Sequence, residues 1–175
     1  MRYGQIRKMD IANGSGIRTS IFVTGCTHHC FNCFNEEYQD FGAGKEWTDE
    51  ETELVLSYVK DPNVSGLTLL GGEPMQNVEG LLDVVVKVRE TVPEKTIWLY
   101  SGYTFDALKE LAAPSKEKAL ELLSYCDVLV DGPYVDEQRD PSLVFRGSKN
   151  QRILDVKKSL SQGEAVWYEG FSPEK

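Results

Sequence analysis

The sequence predicts an α/β protein built on a mostly parallel sheet. Three observations carry that expectation. Short apolar, β-branched runs alternate with segments of helical periodicity, which is the pattern of βαβ units. A capping box at Thr48 and Glu51 opens the first helix. Finally, each candidate strand runs into an unusual loop, and ligands of parallel α/β folds bind at the carboxyl ends of strands.

In chain order, Ile17 to Thr24 reads as a strand with Ile17, Thr19, Ile21 and Val23 on one face. The helix from Thr48 has Asp49, Glu50 and Glu51 at its positive N-terminal end, an apolar face of Leu54, Val55, Tyr58 and Val59, and a stop at Asp61-Pro62-Asn63. Gly66 to Leu70 is the second strand, and the helix after Asn77 turns Leu81, Leu82, Val85 and Val88 inward. Thr96 to Tyr100 is the third strand, followed by a short helix from Thr104, a break at Pro114 and a helix over Ser115 to Tyr125. Asp127 to Asp131 is the fourth strand, and Ala165 to Tyr168 is a candidate fifth. No repeat and no linker divides the 175 residues, so a single domain spanning 1–175 is expected.

Composition narrows the function. The hydrophobic content of 41% suits a folded core, and no apolar run reaches membrane-spanning length. The N-terminus lacks the apolar stretch of a signal peptide, which predicts a cytoplasmic protein with no membrane partner. A net charge of −9 disfavours nucleic acid as a partner. The one basic run, Arg146, Lys149 and Arg152 followed by Lys157 and Lys158, reads either as solvated surface or as a docking segment for a protein partner.

Three of the four cysteines crowd together: Cys26, Cys30 and Cys33 have the spacing C-x3-C-x2-C. In a reducing compartment this signals metal ligation rather than disulfides. The fourth, Cys126, begins a strand far along the chain and reads as a buried apolar residue. Three thiolates on a 4Fe–4S cluster would leave one iron open to a substrate. The alternative is zinc, with His28 or His29 as fourth ligand, although no second ligand pair lies at a distance. The strand-end loops Gly71-Gly72-Glu73-Pro74, Ser101-Gly102-Tyr103 and Asp131-Gly132-Pro133-Tyr134 should meet the cysteines on one rim. Glu73 there offers a negative charge to an ammonium group, and Gly71 and Gly72 allow close backbone approach.

The cysteine spacing with Phe31, followed by Gly71-Gly72-Glu73-Pro74, resembles the radical S-adenosylmethionine superfamily. The segment from Asp10 through Asn13, Gly14, Gly16 and Arg18 to Phe22 is similar to that in activating enzymes of glycyl radical enzymes. Leu129 to Tyr134, Asp140 to Leu143 and Phe145 to Arg152 resemble the branch that serves anaerobic ribonucleoside-triphosphate reductase. The likeness runs from about Asp10 to Asp155 and leaves the last twenty residues unread.

The resemblance implies a partial, open parallel β/α barrel. It also implies one 4Fe–4S cluster on Cys26, Cys30 and Cys33, whose open iron chelates the methionine end of S-adenosyl-L-methionine. Gly71, Gly72 and Glu73 would hold the methionine amino group, and the backbone of Asn32, Cys33 and Phe34 would meet adenine. Ser101 and Asp131 would contact ribose or carboxylate, or else merely cap turns. The implied reaction is reductive cleavage to a 5′-deoxyadenosyl radical that takes hydrogen from a glycine of the reductase's catalytic subunit. A low-potential electron donor such as flavodoxin would supply the electron. The rival readings are an activase for another glycyl radical enzyme such as pyruvate formate-lyase, a radical enzyme for a pterin-like metabolite, and a non-catalytic zinc or electron-transfer module.

Overall fold

The computed structural model describes residues 1–175. Its centre is one mixed sheet of seven strands in the order β3-β1-β2-β4-β5-β6-β7. The strands are β1 (Arg2–Asp10), β2 (Arg18–Val23), β3 (Lys45–Glu46), β4 (Gly66–Gly71), β5 (Thr96–Ser101), β6 (Val128–Asp131) and β7 (Arg152–Asp155). The helices are α1 (Asp49–Val59), α2 (Val78–Thr91), α3 (Phe105–Lys109), α4 (Ser115–Ser124) and α5 (Val156–Gln162).

The four strands read from the sequence are the parallel centre: β2, β4, β5 and β6 pair parallel in turn. Their residues are buried almost throughout, which is why they read as continuous apolar runs. Both edges depart from the mostly parallel expectation. β1 and β3 add antiparallel at one side and β7 antiparallel at the other. β1 escaped the sequence reading because RYGQIRKMD is charged and largely solvent-facing, so it shows no clean alternation. The expected fifth strand at Ala165 to Tyr168 reduces to one antiparallel bridge, Trp167 with Leu154 of β7.

The two faces of the sheet differ. On one, Ile21, Leu67, Leu69, Ile97 and Leu99 pack under the helices in a cluster of 24 buried residues. On the other, Trp98, Val128, Val130 and Ile153 meet no helix; Phe145, Trp167, Tyr168 and Phe171 from loop and C-terminal segment cover part of it. Arg18 lies buried on that side, its guanidinium 5.5 Å from the Trp98 ring and donating to the carbonyls of Leu67 and Thr96.

The basic run is not one surface. Arg146 is buried and donates to the carbonyls of Lys149, Gln151, Ser172, Pro173 and Lys175, pinning the C-terminal residues. Arg152 pairs with Asp131 across the β6–β7 ladder. Neither is free to dock a partner, because each is already committed to the fold. Lys149, Lys157 and Lys158 stay exposed, Lys149 with its ammonium 3.7 Å from Asp140. No helix is long and apolar enough to cross a membrane.

Candidate active site

The C-terminal ends of β2, β4 and β5, with the loop after β6, converge on a cleft of about 490 Å³. Cys26, Cys30, Cys33, Gly72, Glu73 and Ser101 all line it. The rim expected from the strand-end loops therefore forms.

The cysteine loop leaves β2 through Gly25 and has no regular structure until Glu36. His29 and Asn32 take left-handed φ values of 51° and 54°, which turn the chain around the cysteines. All three thiols are free and partly exposed to the cleft. The main-chain N–H of Asn35 donates to Cys33 Sγ at 3.4 Å. Burial pushes the Cys26 and Cys30 thiols up from their usual range, so binding iron must release their protons. Cys126, by contrast, lies 4% exposed in the helical core with Sγ directed at the Leu122 carbonyl. It is too far inside to share a ligand set with the rim. Three thiolates facing open space fit a cluster with one iron left for a ligand.

Glu73 is the most constrained group of the cleft, 1% exposed. Its Oε1 accepts from Met75 N and Ser101 Oγ, both at 2.8 Å. Its Oε2 accepts from Gly102 N at 2.7 Å and faces His28 Nε2 at 2.8 Å. A carboxylate so filled shapes the loop, and has little capacity left for a further donor. The carbonyl of Gly72 beside it accepts from no group of the chain. A Cβ on Gly72 would stand 2.6 Å from the Gly25 carbonyl oxygen and 2.7 Å from that of Tyr38. Glycine here lets the loop after β4 cross the exit of β2.

Other expected residues scatter. Phe34 lines the cleft, its ring 4.8 Å from Tyr134. Asn32 points away, donating to Asp136. Ser101 is committed to Glu73 and to Tyr103 N. Asp131, fully buried, does not line the cleft: it accepts from Phe105 N at 2.7 Å and from Arg152 at 2.6 Å and 3.0 Å. That is the turn-capping reading, reinforced by an ion pair. Sequence reasoning missed Gln76 and Arg139, weighed His28 only as a fourth ligand to zinc, and named Tyr134 only as part of a rim loop.

A 4Fe–4S single cluster domain family matches residues 12–154, a span that includes the cysteine loop and all four parallel strands. The anaerobic ribonucleoside-triphosphate reductase-activating protein of Haemophilus influenzae is 42% identical over 87% of this chain and 97% of its own length. That of Vibrio cholerae is 40% identical over the same shares. The one of Enterobacteria phage T4 is 37% identical over 95% of this chain and 98% of its own. The chain belongs to the anaerobic ribonucleoside-triphosphate reductase-activating protein family. Within that family's 4Fe–4S domain, Cys26, Cys30 and Cys33 are the three cysteines that meet at the cleft.

Proposed function

We propose that the protein is a radical S-adenosylmethionine oxidoreductase that installs the glycyl radical of an anaerobic ribonucleoside-triphosphate reductase. The observation that supports it most is the juxtaposition of three free cysteines with Gly72 and Glu73 in one cleft. On this reading the chain is a single domain over 1–175, its sheet an open partial barrel, working in the cytoplasm. Cys26, Cys30 and Cys33 would hold a 4Fe–4S cluster, which would supply the one electron needed to cleave S-adenosylmethionine to methionine and a 5′-deoxyadenosyl radical that would take hydrogen from a glycine.

The chain's own residues bind and orient. The Gly72 carbonyl accepts from the ligand's ammonium, with Glu73 holding that loop in shape and Gly71 continuing it back to β4. The cysteine-loop backbone from Asn32 to Phe34 meets adenine. Arg7, Arg139 and Arg146 line the cleft against Glu73 and Asp140, a local surplus of cations in an acidic chain. They suit a site that receives thiolates and a ligand carboxylate. Ser101 acts through Glu73, and Asp131 serves the fold rather than the ligand. The partners are the reductase's catalytic subunit and a low-potential donor such as flavodoxin, with no role for nucleic acid.

The test is anaerobic reconstitution with iron and sulfide. The chain is then incubated with the reductase, a low-potential reductant and S-adenosylmethionine. A glycyl radical signal in electron spin resonance is expected, and it should vanish when S-adenosylmethionine is omitted or in Cys30→Ala. A colourless chain holding one tight zinc, or a loaded chain that leaves the reductase without a radical, overturns the reading.

A further inference from the structure

Between the first two cysteines the chain makes almost no backbone hydrogen bonds. Gly25 N and Cys26 N donate to Tyr38 and Gln39, and the next such bond in the loop is Cys33 N to the Cys30 carbonyl. What joins Thr27 and His28 to the rest of the rim is side-chain chemistry. Thr27 N donates to Gln76 Oε1 at 3.0 Å, and Gln76 Nε2 donates back to Thr27 Oγ1 at 2.7 Å. Gln76 Nε2 also reaches the Tyr103 hydroxyl at 3.0 Å. His28 stands edge-on to the Tyr103 ring, centroids 4.7 Å apart, and reaches Glu73 Oε2 at 2.8 Å.

The direction of that last bond follows from the other partners. Two main-chain N–H groups and a hydroxyl already donate to the Glu73 carboxylate, so both its oxygens act as acceptors. His28 Nε2 is therefore the donor. The fit is close: a Cβ at Gly102 would lie 2.5 Å from His28 Cδ2. The imidazole thus fills the gap between the cysteine loop, the loop after β4 and the loop after β5.

We propose that His28 is a positioning residue for S-adenosylmethionine. Acting through Glu73, it fixes the cysteine loop in register with the Gly72 carbonyl, so that both ends of the ligand's amino-acid group meet preformed partners. This rests on the reading that the cleft binds S-adenosylmethionine. The physical need is plain. A loop that lacks regular structure must present three thiolates at a set distance from another loop, and supporting contacts of this kind decide whether a site is tight or loose.

His28→Ala and His28→Gln test it. Both should take up iron and sulfide as the unmodified chain does, since no ligand is removed. The dissociation constant of S-adenosylmethionine, read from its effect on the spin-resonance spectrum of the reduced cluster, should rise about tenfold or more in His28→Ala, the loss of one hydrogen bond to a charged group. The KM for S-adenosylmethionine should rise in step. His28→Gln, which returns an amide N–H near the Nε2 position, should recover part of that loss.

A second measurement needs no cluster. In the iron-free chain, amide exchange at Gly102 and across Cys26 to Cys33 should quicken in His28→Ala, with α1 and α2 unchanged. An unmodified chain that binds S-adenosylmethionine, beside a His28→Ala chain that binds it equally well, overturns the role of His28 alone. So does unaltered exchange in the loop. An unmodified chain that does not bind S-adenosylmethionine overturns this inference together with the function proposed above.

Discussion

Glu73 and Asp131 invite comparison. Each is a carboxylate at the C-terminal end of a parallel strand, and each is almost wholly buried, at 1% and 0% exposure. Glu73 is filled by two main-chain N–H groups, a hydroxyl and an imidazole drawn from three loops around the cleft. Asp131 is filled by one helix N–H and a guanidinium. The first arrangement ties loops to loops around the cleft. The second ties strand to strand outside it, because Arg152 is the register partner of Asp131 across the β6–β7 ladder. A strand-end carboxylate is thus defined by its donors rather than by its position.

The comparison is broken most forcefully at Arg152. Arg152→Ala strands the Asp131 charge with no cation beside it. Removing one member of a buried pair costs about 3–5 kcal/mol, so urea unfolding should shift to much lower denaturant. The Cys26–Cys33 loop should still take up iron in whatever fraction stays folded. A loss below about 1 kcal/mol would place this pair with ordinary surface bridges.

Glu73→Gln should separate the two carboxylates by the kind of loss. The amide keeps the shape but turns one acceptor into a donor, which faces Gly102 N–H or His28. About 1–3 kcal/mol of stability should go, less than at Arg152. Binding of S-adenosylmethionine should suffer more than stability does, the reverse of the order at Arg152. Equal losses in both variants would remove the distinction drawn here.

Why the sequence could not make this distinction is itself physical. The four parallel strands were legible because burial on both faces demands apolar runs, and the cysteine motif was legible because thiolate spacing is chemistry written locally. The Thr48–Glu51 box, the helix start at Thr104 and the core place of Cys126 were legible for the same reason: each is settled within a few residues. Partners at long range were not. Glu73 with His28 spans 45 residues and Asp131 with Arg152 spans 21, so a run of basic residues looked like a surface when Arg146 was buried and Arg152 was half-buried against Asp131. β1 and β7 share that fate, since an antiparallel edge borrows its order from the strand it joins.

The cysteines repeat the contrast on a smaller scale. Cys126→Ala removes a buried sulfur from the helical core and should cost about 1 kcal/mol, with iron uptake unchanged. Cys26→Ala should leave stability nearly untouched and abolish stable cluster binding. Iron analysis alongside thermal melting reads both. If Cys126→Ala lost its iron, the reading of three rim ligands would fall.

The smallest effect lies outside the cleft and calibrates the rest. At the start of α1, Glu51 accepts from the Thr48 amide at 2.8 Å, from the Thr48 hydroxyl and from the Tyr3 hydroxyl. The Thr48 hydroxyl and amide, with that tyrosine, hold the Glu51 carboxyl down at about 2, against an ordinary value of 4.5. A depressed carboxyl stabilises the fold above its unfolded-state value and loses that contribution as pH falls through its folded one. The advantage of the unmodified chain over Glu51→Gln should therefore be constant at neutral pH and shrink between about pH 4.5 and pH 2. Thr48→Ala should cost about 0.5–1 kcal/mol at pH 7 and leave S-adenosylmethionine binding as it was. Unlike Glu73, this glutamate sits at the surface beside a helix end, and its donors come mostly from its own turn. A pH-independent difference between the two chains would mean that the low value reflects helix geometry alone and carries no stability.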